Sequence, residues 1–381
     1  MSKVRIFIVL LVVTTLLVAC QPPEPVTVEV EVTREVEIPV EIEVTRVVEV
    51  EVEVAPLPTE APEYFEETAV QNIALAGELA DRHAEISGMA WYGDYLILMP
   101  QYPNFYLEEG TEEDGSVFAI AKADIDAYLN GESFAPLESV KIPFAAGDAY
   151  AIEGFEGFES IVFDGDNVYL TIEVEGADGM YALLVAGTIA PDLSVLTIDT
   201  ATMPEIVTQS GVENMSDETM ILAGDSLVTI HEANGVAVNA EPVAHVFGTD
   251  LSEVGTVPMT NVEYRITDAT ALDENGNFWA VNYFYPGEEV LMPEVDPVAE
   301  TFGRGPTHTA SAGVERLLEF NYSADGVVLT ETAPIMLQLM ADGNLRNLEG
   351  IVRYEAGFLV ATDKYPSTVF GFVPLPEVEE E

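Results

Sequence analysis

The sequence predicts an all-β fold, a five-bladed β-propeller, and three observations carry that expectation. Beyond residue 62 the 381-residue chain reads as short apolar strands parted by Gly, Asn and Asp turn signals, with one persuasive helix. One hairpin unit recurs five times along this stretch. The two ends of the stretch each supply a strand without a local partner, and pairing them closes a ring. A six-bladed ring is the alternative if 100–150 or 284–347 holds a divergent blade, and a pair of β-sandwiches is the plainer one.

Residues 1–20 come first. Lys3 and Arg5 precede an apolar run from Ile6 to Val18, too short for a comfortable membrane span, and the run ends in Leu17-Val18-Ala19-Cys20. This is the layout of an export signal. Leu-Val-Ala-Cys resembles the bacterial lipobox, which implies a lipid-modified Cys20 as the mature N-terminus, and Cys20 is the only Cys in the chain. The expectation is an extracytoplasmic protein held at the cell membrane by its acyl chains.

Residues 21–62 are low in complexity. Glu31-Val32-Thr33-Arg34 recurs as Glu43-Val44-Thr45-Arg46, a period of 12, within near-strict Val/Glu alternation. No turn residues fold the alternation back, and its carboxylates repel one another, so the segment is expected to act as a stalk. At about 3.3 Å per residue such a stalk reaches ~130 Å. It resembles the Val/Glu stalks of bacterial surface lipoproteins. Pro56, Pro58 and Pro62 mark its end, the propeller is expected over 63–376, and 377–381 form an acidic tail.

The repeat unit is a polar residue, an apolar strand, a Gly- or Asn-containing turn and a second apolar strand. It runs from 86–91 into 95–98, from 158–163 into 168–173, from 217–222 into 227–232, from 267–272 into 278–281 and from 348–352 into 358–363. The leading polar residues Ser87, Glu159, Glu218, Asp268 and Glu349 stand 72, 59, 50 and 81 residues apart, room for two further strands per unit. In the second unit those are 181–188 and 195–199. The last unit supplies only a third strand, 368–375, and 72–79 is expected to pair with it. The helix is expected over 124–130, with Asp124 as N-cap and Gly131 past its end.

In a propeller the first strand of each blade lines the central channel. Ser87, Glu159, Glu218, Asp268 and Glu349 are therefore expected in one axial ring, with Glu173, Glu232, Asn282 and Asp363 on its rim. Converging carboxylates repel unless protonated or bridged by a cation, and an all-oxygen donor set suits Ca²⁺. The four His (His83, His231, His245, His308) show no zinc-ligand spacing. The plainer alternative is that the acids bond backbone amides at the blade starts. Arg82, Arg265, Arg304, Arg346 and Lys364 flank the same predicted face and offer themselves to an anionic ligand, unless they pair with local acids such as Asp268 or Glu349. His308 is a candidate base. Tyr102, Phe105, Tyr106, Tyr283, Phe284 and Tyr285 are expected to cap the blades or stack on a ligand.

Lys and Arg total 13 against 68 Asp and Glu, a formal net charge of -55. Such a surface repels phosphate backbones, which excludes nucleic acid as a partner. A single Cys excludes disulfide scaffolds and Cys-rich metal sites. No Gly-x-Ser-x-Gly elbow, P-loop or HExxH is present. The segments Glu-Ile-Ser-Gly-Met-Ala (85–90), Phe-Glu-Ser-Ile-Val-Phe-Asp-Gly-Asp (158–166) and Leu-Glu-Gly-Ile-Val (348–352) resemble the bacterial phytase-like, or esterase-like, propeller family. The ring is also similar to that of the five-bladed calcium-dependent nucleotidases, which implies a central Ca²⁺ at Ser87, Glu159, Glu218, Asp268 and Glu349. Asp268 departs from the Ser of that family, and its basic nucleotide contacts have no counterpart here. Two functions follow as expectations. One is a monomeric surface propeller that binds an anionic small molecule or surface polymer beside Ca²⁺. The other is a Ca²⁺-dependent phosphoester hydrolase with Glu173, Glu232 or Asp363 as general base.

Overall fold

The computed structural model describes residues 64–105, 114–177, 179–363 and 368–376. The export signal, Cys20, the stalk, Tyr106, Lys364 and the acidic tail lie outside the described residues. Among those described, no helix is long and apolar enough to cross a membrane.

Five blades form the fold, their inner strands antiparallel, and a short parallel pairing of Leu196 and Thr197 with Phe144 and Ala145 joins the outer edges of the first two into one sheet. Blade 1 runs Ile86–Tyr92, Tyr95–Pro100, Ser116–Ala121, Val140–Ala145. Blade 2 runs Phe155–Asp164, Asn167–Gly176, Gly179–Ile189, Leu196–Asp199, with Glu205–Val207 also on its third strand. Blade 3 runs Asp217–Ala223, Ser226–His231, Val243–Gly248, Glu253–Pro258. Blade 4 runs Arg265–Ala269, Asn277–Phe284, Val314–Ser323, and its third strand pairs with both Gly326–Leu329 and Ile335–Leu337. Blade 5 runs Leu348–Tyr354, Gly357–Thr362, Phe370–Pro374 and is completed by Gln71–Ile73 from the start of the described chain. The first strands of successive blades pack against one another in order, and the fifth returns to the first. The ring has five blades: 100–150 and 284–347 supply outer strands and connections, not a sixth.

Strand alternation explains why the blades stack. Each blade is covered on both faces, so both sets of alternating side chains are apolar, and every seam holds its own cluster. Ile97, Met99 and Phe144 meet Phe158 and Leu170 between blades 1 and 2. Tyr169 and Leu184 meet Met220 and Phe247 between blades 2 and 3. Val228 and Ile230 meet Phe278 and Phe320 between blades 3 and 4. Trp279 and Leu317 meet Phe358 and Val360 between blades 4 and 5, and Tyr354 and Leu359 meet Met89 and Phe118 at the closing seam. Each large side chain so buried contributes about 1.5–3 kcal/mol.

Two local expectations shift. The helix spans Lys122–Leu129, two residues earlier than expected, because the strand ending at Ala121 runs directly into it; Ala121 is the N-cap and makes no side-chain cap, and Gly131 follows in the left-handed region at φ 73°. The closing strand is the three residues Gln71–Ile73, since the chain turns into a 3₁₀ segment at Gly77–Ala80.

Candidate functional site

All five first strands are interrupted at the same place. The pairing register slips between Ile86 and Gly88, Phe158 and Ser160, Asp217 and Thr219, Ile266 and Ala269, and Leu348 and Gly350. Each slip is a β-bulge, which leaves a residue outside the ladder and re-aims its side chain. In four blades the residue left out is the predicted ring residue: Ser87, Glu159, Glu218 or Glu349. In blade 4 the bulge takes in both Thr267 and Asp268. Thr267 donates to Leu348 O at 2.6 Å, as Ser87 donates to Phe158 O, each bond tying a bulge to the first strand of the next blade. Thr219, next to the bulged Glu218, makes the same kind of bond to Ile266 O at 3.2 Å, so these hydroxyls tie three of the blades to the next.

The three glutamates at these bulges open into one cavity of about 210 Å³, lined by Gln101, Tyr102, Glu156, Glu159, Glu173, Asn214, Glu218, Arg265, Asn347, Glu349 and Asp363. Its walls come from all five blades, so it lies on the ring axis. Ser87 and Asp268 are not among its lining residues. The Asp268 carboxylate accepts from Ile351 N at 2.7 Å, the backbone role foreseen as the plainer alternative, and burial pushes its pKa well above the usual carboxylate range.

A second tier comes from the ends of the second strands. Glu173 and Asp363 occupy it in blades 2 and 5, and the pairing of Ile86 with Pro100 puts Gln101 in the same slot of blade 1. Sequence reasoning missed Gln101 because it is neither acidic nor part of the apolar run; its place after Pro100 was the available signal. Gln101 Nε2 donates to Glu159 Oε1 at 2.9 Å. Gly157 permits that meeting: its φ is +138°, and a Cβ there would stand 2.4 Å from Gln101 Cγ. In blade 4 the slot belongs to Tyr283, and Asn282 instead donates to Glu263 O and Arg265 O, both at 2.9 Å, as a buried structural amide.

Arg265 is the cation within this acidic cluster. Its Nε donates to Glu232 Oε1, its Nη1 to Glu288 Oε1 at 3.1 Å, and its Nη2 stands 3.9 Å from Glu218 and 4.0 Å from Glu349. Burial opposes its charge, but Glu218, Glu288 and Glu349 outweigh that and hold it fully protonated. The acids around it are under the opposite pressure. Burial, then the fields of Glu173, Glu218 and Glu349, pushes Glu159 well above the usual range, and burial with Asp363 and Glu218 does the same to Glu349. Burial and Glu218 push Glu173 up to about 8. Burial takes Glu218 to about 7 against the pull of Arg265 and His231. Glu173 Oε1 and Glu232 Oε2 are buried and make no hydrogen bond of ordinary geometry, although Ser216 lies near enough to Glu173 to favour its charged form.

The other candidates lie elsewhere. Arg346 was expected on the ligand face or against Glu349; it is buried, pairs with Glu315 and donates from Nη2 to Gln338 O at 2.6 Å. Arg82 and Arg304 are exposed and do not line the cavity. His308 is buried rather than solvated, its Nδ1 2.8 Å from Glu67 Oε1 and its Nε2 3.2 Å from the backbone of Glu315. Of the aromatics, Tyr102 lines the cavity, Phe105 packs on Phe118, Phe284 on Tyr264, Tyr283 is buried, and Tyr285 is exposed.

The donor chemistry of the cavity fits a hard cation, on the observation that Glu173 presents a buried carboxylate oxygen with no hydrogen bond of ordinary geometry among other oxygen donors. The fit is one of donor type: among the described residues no three His, Cys, Asp or Glu stand close enough together to hold a metal ion as they are placed.

No family model matches the chain, and no curated protein matches it. Solved structures similar to it include an α-L-arabinofuranosidase from Clostridium thermocellum, 11% identical, TM-score 0.42, over 76% of this chain and 93% of that one. An α-L-arabinanase of Cellvibrio cellulosa is 9% identical, TM-score 0.42, over 77% and 93%. The catalytic domain of a Coprinopsis cinerea family 62 α-L-arabinofuranosidase is 10% identical, TM-score 0.42, over 82% and 96%. Overlaps this loose transfer neither residues nor activity, and the propeller stands on the chain's own ring of five blades.

Proposed function

We propose that the chain is an extracytoplasmic lipoprotein, anchored through Cys20, whose propeller holds Ca²⁺ on its axis and binds an anionic or polymeric ligand through that ion. One observation carries the cation: Glu159, Glu173, Glu218, Glu349 and Asp363, from three blades, share a cavity in which Arg265 is the lone basic lining residue. Carboxylates so confined stay ionised at neutral pH only if more positive charge joins them. Glu159, Glu173, Glu218 and Glu349 would hold the ion, with Asp363 kept in place by Asn347 Nδ2 at 3.1 Å. Ser87 and Asp268 take no part, because their polar atoms are bonded to backbone.

Calcium supplies a hard Lewis acid that accepts phosphate, carboxylate or hydroxyl oxygens. The chain's own residues set what reaches it. Tyr102, Asn214 and Asn347 line the cavity with hydrogen-bonding groups. Arg265 is engaged by Glu232 and Glu288, so an anionic group must bind through the ion rather than through arginines. That weakens the expected ligand face of four arginines and Lys364 and favours binding over phosphoester hydrolysis, which remains the alternative with Glu173 as general base.

The test is a thermal melt of the full chain after chelation, with Ca²⁺ or Mg²⁺ restored, alongside membrane fractionation of a Cys20→Ala variant. At 100-fold excess over Kd, Ca²⁺ stabilises by about 2.7 kcal/mol. A Ca²⁺-selective rise that Glu159→Gln and Glu218→Gln remove supports the reading. No rise, or hydrolysis of an aryl phosphate or aryl glycoside that persists in chelator, overturns the calcium-dependent reading. A Cys20→Ala chain that stays with the membrane overturns the anchor.

A further inference from the structure

All four histidines approach a carboxylate, and one of them also touches a nucleophile. His83 meets Asp81 on the surface, His245 meets Asp217, and His308 meets Glu67 with its other nitrogen on backbone. His231 differs. Its Nε2 lies 2.9 Å from Ser210 Oγ, and its Nδ1 faces Asp217 Oδ1 at 3.5 Å. We propose that Ser210, His231 and Asp217 form a nucleophile, base and orienting carboxylate that hydrolyse short carboxylic esters, at a site separate from the axial cavity.

The placement follows from the blade. Asp217 begins the first strand of blade 3 and pairs across the ladder with His231, the last residue of the second strand, so their side chains share one face. Below them on that face, Met220, Leu227 and Phe247 pack against blade 2. Ser210 comes from the connection between blades 2 and 3 and closes over the seam. Gln209 fixes that connection by donating to Val243 O and accepting from Val243 N, both at 2.8 Å. Thr229 Oγ1 donates to Asp217 Oδ2 at 2.6 Å, and His245 Nδ1 lies 3.0 Å from the same oxygen. With Asp217 Oδ1 facing Nδ1, the tautomer with hydrogen on Nδ1 is favoured, which leaves the Nε2 lone pair to the serine hydroxyl. The 3.5 Å spacing is loose, as such contacts commonly are before substrate binds.

Access comes from the loop itself. Ser210 is 8% exposed while His231 and Asp217 are buried, and Gly211 beside the serine is exposed, so the ester carbonyl must approach Oγ past Gly211. Val212 N donates to Ser210 Oγ at 3.4 Å and helps to hold the hydroxyl in place. In the reaction, Ser210 Oγ bonds to the ester carbonyl carbon and its proton passes to Nε2. The C–O bond to the alcohol breaks, and the alcohol leaves with that proton. Water then attacks the acyl-serine, giving one proton to Nε2 and releasing the acid, and the Nε2 proton returns to Oγ. No cation is involved at any step, so the experiment is run in chelator and its outcome is independent of the calcium proposal.

The full chain is treated with a short alkyl fluorophosphonate, weighed intact and mapped by peptide. The expected result is one adduct per chain, on Ser210, together with hydrolysis of 4-nitrophenyl acetate. Both are lost in Ser210→Ala, hydrolysis by about 100-fold or more, while the melting temperature holds. His231→Gln keeps a donor facing Ser210 and cannot act as the base, so it too loses labelling; if that variant fails to fold, the wild-type chain and Ser210→Ala decide. A folded chain with no adduct at Ser210, or hydrolysis that survives Ser210→Ala, overturns the assignment.

Discussion

Without a cation, the axial cavity should make the protein less stable as the solution becomes more basic. Glu173 titrates at about 8 and Glu218 at about 7 in the folded chain, against 4.5 for an unperturbed Glu. The folded state therefore binds more protons than the unfolded one across that interval, and stability falls with rising pH. It is full below about pH 4.5 and reaches its lower level near pH 8. Each pH unit of separation corresponds to about 1.4 kcal/mol, and because one proton relieves the repulsion on both carboxylates the expected loss is about 4 kcal/mol. For a domain of this size that is ~6 °C in Tm. The assay is a series of melts in chelator from pH 5 to 8, repeated in saturating Ca²⁺, which should flatten the curve. Glu173→Gln sharpens the test, because it removes one repelling charge while keeping the volume. At pH 8 in chelator it should stabilise by about 2 kcal/mol and at the same time weaken the Ca²⁺ response. A variant that destabilises at pH 8, as an ordinary core lesion does, or a wild-type curve flat in chelator, would refute the electrostatic account.

Arg265→Met leaves Glu232, which is fully buried, without its cation and should cost about 3–5 kcal/mol in urea melts at pH 8. The cost should shrink at pH 5, where the neighbouring acids hold protons; equal costs at both pH values would mean that Arg265 acts through packing. Asp268→Ala removes the acceptor of the Ile351 amide and should cost about 1–3 kcal/mol with the Ca²⁺ response intact, whereas a lost response would return Asp268 to the ring. Deleting the chain through Ile73 exposes the edge of Phe370–Pro374, so light scattering should show concentration-dependent association; a deletion variant that stays monomeric with unchanged Tm would show that closure does not protect the blade.

The inner hairpins were legible because a strand covered on both faces is an unbroken apolar run, and a Gly turn between two such runs fixes their pairing. Outer strands were harder: Glu253–Pro258 alternates exposed and half-buried residues and carries no apolar run, and the third strand of blade 4 takes two different partners. The ring position of blade 4 was hard to read for a physical reason. A bulge sets an extra residue against its partner strand, here the slip takes in both Thr267 and Asp268, and neither lines the axial cavity. The arginines failed differently. Arg346 was matched to Glu349 by closeness in sequence, but in a propeller the residues nearest in space lie on the adjacent strand or blade, and Glu315 is 31 positions away. Ser210, His231 and Asp217 follow no spacing motif either, since a loop and the two ends of a hairpin bring them together.

The bulges also show how one backbone device serves two purposes. Where the residue turned out of the ladder is a hydroxyl, as at Ser87 and Thr267, it reaches the carbonyl of the next first strand and joins two blades. Where it is a glutamate, as at Glu159, Glu218 and Glu349, the longer side chain reaches the axial cavity and meets the repulsion of the others, while in blade 3 the neighbouring Thr219 keeps the bond to the next blade through Ile266 O. A propeller built only for stability would carry hydroxyls in all five slots. Burying glutamates at three of them opposes folding, and the apolar seams between blades must offset the cost. On the proposed reading a bound cation would return that stability, and holding the channel together and holding a ligand would be linked through the same carboxylates.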